Sequence, residues 1–241
     1  MFFKSVFIIS VIIVFSFRSE TILESTYVDL EVNSNQQTGK VTGKISLPER
    51  ATRVVVRRRR SRSYRRNTIE LSEKARQYTP YEKTMIYLEP LDEKNNVFIP
   101  KRVVLEQENV SFQPAHVIAQ SGNDILVVNK DEIFHNVFST TEGYRFNIGK
   151  KRKDEIVPIK LTKTGHVQVF CDIHAFMSAI ISIVETPYYT LVDNDQNFVI
   201  ENVPEGRYRL IGWNDRAEFT GAIIEVRSNT ATNLTNIIRF Q

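Results

Sequence analysis

Val169-Phe170-Cys171-Asp172-Ile173-His174-Ala175-Phe176-Met177 places a thiol, an imidazole and a thioether within seven residues. An apolar, β-prone run precedes this segment from His166 to Phe170, and another follows it from Ser178 to Val184. Both read as strands, so the three sulfur and nitrogen side chains share one tight connecting loop. Upstream, Asp131-Glu132-Ile133-Phe134-His135-Asn136-Val137-Phe138-Ser139 supplies a further histidine at the predicted start of another strand.

A thiolate, two imidazoles and a thioether form a soft, mixed donor set. Electron-transfer copper uses a trigonal His2Cys site with a weak axial Met, and His135, Cys171, His174 and Met177 offer that combination. Zinc also accepts Cys and His, but it has little use for a thioether and would leave Met177 idle. Taken singly, a buried Cys, a core Met and scattered His residues are ordinary structural features; their spacing here argues for a common site. His116 and His166 are read as solvated or core-satisfied histidines and are not assigned to a metal.

Outward from this loop, short apolar runs alternate with polar breaks. Strands are expected at Gly39–Leu47, 54–56, 84–91, 96–100, 103–105, 111–113, 117–119, 125–129, 135–139, 144–148 and 156–161, besides the two that flank the Cys loop. After Pro187 come Tyr188–Val192, the turn Asp193–Asn197, 198–200, the turn 202–206, then 207–213, 222–226 and a tail strand at 234–240. Closely spaced short strands without long helical patterns indicate an all-β protein built of sandwiches or barrels. One helical turn is expected near 71–76, inside a polar segment that reads as a loop.

The first residues differ in character. Lys4 precedes an apolar run from Val6 to Phe17, which Arg18, Ser19 and Glu20 end. That length suits the apolar core of a secretory signal over residues 1–19 and is short for a membrane span. The chain is therefore expected to be exported, to a periplasm or cell envelope, with an uncleaved membrane anchor as the alternative. Its single cysteine excludes an internal disulfide. The net charge of +4 is local: without Arg57, Arg58, Arg59, Arg60, Arg62, Arg65 and Arg66 the remainder is net −3. In an exported protein this run at 57–66 reads as a solvated loop or a contact with an anionic surface, and a nucleic-acid partner is not expected.

The segment from Phe112 to Val184 resembles plastocyanin-like cupredoxins. The short C-x2-H-x2-M loop is similar to those of amicyanin and pseudoazurin. Phe112-x-Pro114-Ala115-His116-Val117, IFHNVFS at 133–139, VFCDIHAFMSA at 169–179 and TPYY at 186–189 are similar to the bacterial periplasmic blue copper proteins of the "methylamine utilization protein" type. The resemblance implies a Greek-key β-sandwich over 97–186 that holds one type 1 copper through His135, Cys171, His174 and Met177. It also implies that Asn136 braces the Cys loop by hydrogen bonds.

The ends of the chain carry a second resemblance. GKVTGKIS at 39–46, the strand near 84–91, DNDQNFVI at 193–200 and NVPEGRYRL at 202–210 resemble a small carboxypeptidase regulatory-like β-sandwich, with Gln196 where that pattern usually has Gly. Residues 27–96 and 187–241 are accordingly expected to form it, with the copper module inserted between them; a separate C-terminal sandwich is the alternative. The function implied is one-electron transfer between an exported donor and acceptor, without enzymatic activity of its own, since further copper centres need more than the four histidines present. A copper store or chaperone, and an envelope structural or glycan-binding module, are the alternatives.

Overall fold

The computed structural model describes residues 37–52, 78–235, 238 and 240, with the backbone alone at 218, 220 and 221. The expected leader at 1–19, the strand at 54–56, the arginine-rich run at 57–66 and the helical turn near 71–76 lie outside the described residues, as does the start of the N-terminal segment at 27–36.

The protein is all-β. In chain order the strands are β1 (Thr38–Lys44), β2 (Met85–Pro90), β3 (Val103–Glu108), β4 (Ser111–Gln113), β5 (His116–Gln120), β6 (Asp124–Asn129), β7 (Phe138–Ser139) and β8 (Phe146–Asn147). They continue with β9 (Ile156–Lys160), β10 (Gly165–Phe170), β11 (Ser178–Val184), β12 (Tyr189–Leu191), β13 (Asn197–Pro204), β14 (Gly206–Asn214), β15 (Ala217–Val226) and β16 (Ala231–Asn233). The longest helix among the described residues, Glu49–Thr52, is a single turn. No helix among them is long and apolar enough to cross a membrane.

Four sheets form two pairs. β3 to β11 make the sheets β4-β3-β6-β9 and β5-β11-β10-β7-β8, while the strands on either side of them in sequence make β13-β1-β16 and β12-β2-β14-β15. Each pair has its own apolar core. Leu105, Phe112, Ile125, Val127, Val167, Val169, Ile181 and Ile183 fill the middle module. Val41, Ile86, Leu88, Ile200, Val203, Tyr208 and Leu210 fill the flanking one. Period-2 alternation directs these side chains inward: in β1 the residues at 39, 41 and 43 stand apart from exposed Lys40 and Lys44 in burial, with Val41 wholly enclosed.

β5 and β11 break that alternation, and the reason positions the two modules. They pair in parallel, Ile180 with His116 through Val184 with Gln120, and β5 is buried at every residue. Val117, Ala119, Ile181 and Ile183 face their own core. Ile118 and Val184 face the other way and pack with Met85, Tyr87, Tyr189, Leu191 and Trp213 of the flanking module. A sheet covered on both faces reads as a continuous apolar run, as SAIISIV does.

Several expected elements differ. Val97, Phe98 and Ile99 form no strand: Gln120 takes the place of a partner, its Oε1 accepting from Ile99 N–H at 2.9 Å and its Nε2 donating to Val97 O at 2.6 Å. The Asn202-Val203-Pro204 stretch continues β13, with the reversal delayed to Glu205. Of the tail strand expected at 234–240, residues 236, 237 and 239 lie outside the described residues; β16 forms just before it and pairs in parallel with β1, and Leu234, Ile238 and Phe240 are buried in the core.

Candidate metal centre

Cys171 follows the last residue of β10, and Met177 precedes the first of β11. The two strands pair antiparallel, Phe170 opposite Ser178, so residues 171–177 close a loop over one end of the sheet. Met177 N–H donates to His174 O at 3.0 Å, and Cys171 N–H donates to Met177 O at 3.4 Å. These bonds fold the loop back on itself and turn His174 towards Cys171.

His135 arrives from a separate loop. β7 pairs with β10 at Phe138 and Phe170, which carries the preceding residues alongside the Cys loop. The expected strand at 135–139 is shortened to β7, and His135 is held instead by a two-residue bridge to Lys151, with N···O distances of 3.2 and 2.7 Å. His135 is wholly buried, and Cys171 and Met177 nearly so; His174, at 7%, is the most exposed of the four.

Three donor atoms converge. Cys171 Sγ lies 3.9 Å from His135 Nδ1 and 3.8 Å from His174 Nδ1, and the two Nδ1 atoms are 3.1 Å apart. A point equidistant from the corners of a triangle with those sides is about 2.1 Å from each, close to the roughly 2.0–2.3 Å of metal bonds to imidazole nitrogen and thiolate. The donor set fits one small, soft ion. Met177 is buried at 2% at the end of the same loop and packs in the same core as Cys171.

Hydrogen bonding sorts the ring protons. His135 Nε2 lies 2.8 Å from Asp131 Oδ2, so the nitrogen that donates is Nε2 and Nδ1 keeps its lone pair. His174 Nδ1 lies 3.1 Å from His135 Nδ1, which carries that lone pair. Burial is the main reason the pKa of each ring is lowered, His174 to about 4, with the neighbouring His135 adding to the shift there. For His135 the Asp131 hydrogen bond works in the opposite direction. Neutral imidazoles are the form that binds metals.

Asp131 has no role in the sequence reading, although the D-x3-H spacing at 131–135 was visible. Its carboxylate also accepts Asn109 N–H at 2.8 Å and Val110 N–H at 2.9 Å, from the turn joining β3 and β4. Asn136, expected to brace the Cys loop, accepts Gln107 Nε2 at 3.2 Å through its backbone carbonyl. Asn136 Oδ1 and Gln107 Oε1 are both buried without a partner.

The other two histidines lie away from this cluster, between the modules. His116 Nδ1–H donates to Lys83 O at 3.0 Å, which leaves Nε2 to accept from Ser182 Oγ–H at 2.6 Å. Ser182 Oγ in turn accepts from His166 Nδ1–H at 2.8 Å. Both nitrogens of His116 and Nδ1 of His166 thus have partners, and burial lowers the pKa of both rings, His116 to about 3 and His166 to about 4.

No protein-family model matches the chain, and no curated protein matches it. Among solved structures it is similar to the Cu-containing nitrite reductase from Thermus scotoductus SA-01, 22% identical over 40% of this chain and 25% of that one, with a TM-score of 0.34. It is also similar to amicyanin from Paracoccus versutus, 21% identical over 41% of this chain and 97% of that one, with a TM-score of 0.33. The chain thus spans a quarter of the reductase's length.

Proposed function

We propose that residues 97–186 form a cupredoxin that binds one type 1 copper through His135, Cys171, His174 and Met177, and that the protein passes single electrons between exported redox partners in a periplasm or envelope. The observation that carries this reading is the triangle of Cys171 Sγ and two Nδ1 atoms, which accommodates an ion at metal-bond distance from all three. A trigonal His2Cys set with a thioether at the end of the same loop is the donor chemistry of blue copper.

When bound, copper supplies a one-electron couple between Cu(I) and Cu(II). The chain's own residues do the rest. The bridge to Lys151 and the Asp131 hydrogen bond hold the His135 ring in one orientation. The Met177 and His174 backbone bonds hold the loop, so little has to rearrange as charge changes. The enclosing core, with Val137, Val169 and Phe176, keeps water from the thiolate. His174, the least buried ring, reaches the surface beside exposed Ile173 and gives electrons the shortest way out. The histidine count supports a role as carrier: His116 and His166 are engaged between the modules and leave none for a second copper centre.

Visible absorption and electron paramagnetic resonance after addition of Cu(II), beside Cys171→Ser and His135→Ala, test the reading. A strong thiolate-to-copper band with narrow hyperfine splitting, lost in both variants, is expected. A colourless protein without stoichiometric copper would overturn it and favour a structural or glycan-binding envelope module.

A further inference from the structure

We infer that Asp131 is the positioning residue of the metal centre: it selects the His135 tautomer that leaves Nδ1 free, and its charge biases the site towards Cu(II). This inference rests on the copper reading above for its redox half, and on the metal-free geometry for the other.

The carboxylate is built into place from both sides. The backbone N–H of Asp131 donates to Asn129 Oδ1 at 2.9 Å, and Asn129 Nδ2 donates to Ile133 O at 2.8 Å and Lys151 O at 3.0 Å. Across the sheet end, Asn109 and Val110 present consecutive N–H groups to it. Both adopt left-handed backbone, φ 52° and 55°, as a two-residue turn of mirror-image type requires. Asn tolerates that region, but a β-branched residue such as Val does not occupy it without strain. The strained turn persists because Asp131 accepts both amides, and the same oxygen that takes Val110 N–H also faces His135 Nε2. Asp131 is only 16% exposed, so solvent weakens these bonds little.

Two consequences follow. An ionised carboxylate only accepts, so His135 must carry its proton on Nε2, and Nδ1 faces Cys171 and His174 as a lone pair. A charge-assisted bond to an anion also makes the imidazole a stronger donor and adds negative charge next to the ion. Both effects favour the more positive oxidation state.

Three measurements test this on the full-length protein. In the copper-loaded Asp131→Asn variant the blue band should remain while the potential rises, so that at the wild-type midpoint reduced protein exceeds oxidised by at least tenfold, about 59 mV for one electron. Asp131→Glu, which keeps the charge, should stay within threefold of wild type. In metal-free wild type, nitrogen-15 NMR should find the His135 proton on Nε2. A potential within twofold of wild type in Asp131→Asn, or a proton on Nδ1 of metal-free His135, would overturn the inference. If Asp131→Asn does not fold, the tautomer and the Glu variant decide it. A wild-type protein with no blue band would sink the copper reading alone, and the NMR result would still judge the pairing.

Discussion

The indole of Trp213 lies against the imidazole of His166, with ring centroids 3.8 Å apart and planes 11° from parallel. Trp213 belongs to β14 of the flanking module and His166 to β10, the strand whose far end leads into Cys171. The same indole meets His116 edge-on at 5.5 Å. One aromatic side chain therefore joins both interfacial histidines, within the apolar patch of Met85, Ile118 and Val184.

Trp213→Ala should remove that joint. Large aromatic-to-alanine changes in packed sites cost about 3–5 kcal/mol, and a partly exposed interface should lie at the lower end. Urea unfolding should show a loss of about 3 kcal/mol, with the spectrum of a copper-loaded sample unchanged because the metal centre lies at the other end of β10. A loss under about 1 kcal/mol would show that the stack contributes little.

Stability should also depend on pH through His116. Burial holds this ring at about 3, with the Lys83 carbonyl bond opposing the shift, against 6.5 for an exposed histidine. Between those values the unfolded chain binds a proton that the folded one does not, so stability rises with pH across the window. The contribution is complete above 6.5 and is lost as pH falls towards 3. His166, which burial lowers to about 4, acts in the same direction. In metal-free protein, His116→Asn should reduce the slope of unfolding free energy between pH 6 and 4.5 by about 1.4 kcal/mol per pH unit. An unchanged slope in urea titrations at several pH values would refute the assignment.

Much of the metal loop was legible because its determinants are local. The C-x2-H-x2-M spacing lies between two apolar runs, and the boundaries of β11 coincide with those expected from SAIISIV. Asp131 was only half legible: its D-x3-H spacing to His135 is local, but its other partners, Asn109 and Val110, come from a hairpin some 20 residues away, brought near by the parallel pairing of β3 and β6. The interfacial histidines were hidden for a similar reason. Their roles depend on which face of β5 and β10 meets Trp213, and a single run of sequence does not say what covers a strand's second face. Val97 to Ile99 misled because an apolar run near a proline looks like a strand, whereas here a glutamine side chain supplies the hydrogen bonds.

Gln196 holds a turn position that its side chain makes costly. Its φ is +73°, in the left-handed region, where glycine is at ease and other residues are strained by roughly 1 kcal/mol. The turn is otherwise well bonded: Gln196 N–H donates to Asp193 O at 3.1 Å, and Asn197 N–H to Asp193 Oδ1 at 2.7 Å. Gln196→Gly should therefore stabilise the protein by about 0.5–1 kcal/mol, offset in part by the freer unfolded chain. A midpoint of thermal unfolding that falls would show that the glutamine side chain makes a compensating contact.

Gly39 occupies the point where β1 is most tightly enclosed. A Cβ added there would lie 2.4 Å from Arg227 O and 3.0 Å from Thr230 O, both backbone atoms that no side-chain rotation can move aside. The neighbouring Lys40 N–H donates to that same Thr230 O at 3.0 Å, and Lys40 pairs with Ala231 of β16. To admit a methyl group, the 227–231 segment must shift and give up this bond, while β1 must keep its opposite edge on β13. Overpacking of this kind costs about 1–3 kcal/mol, and the rigid obstacle places Gly39→Ala at the upper end. Because β1, β13 and β16 share a sheet that contains no strand of the middle module, the loss should fall on the flanking core. Hydrogen exchange should quicken at Val41, Ile200 and Val203 and stay slow at Val167, Val169 and Ile181. Equal loss of protection in both groups would mean instead that the two modules unfold as one unit, with the Trp213 interface as the coupling between them.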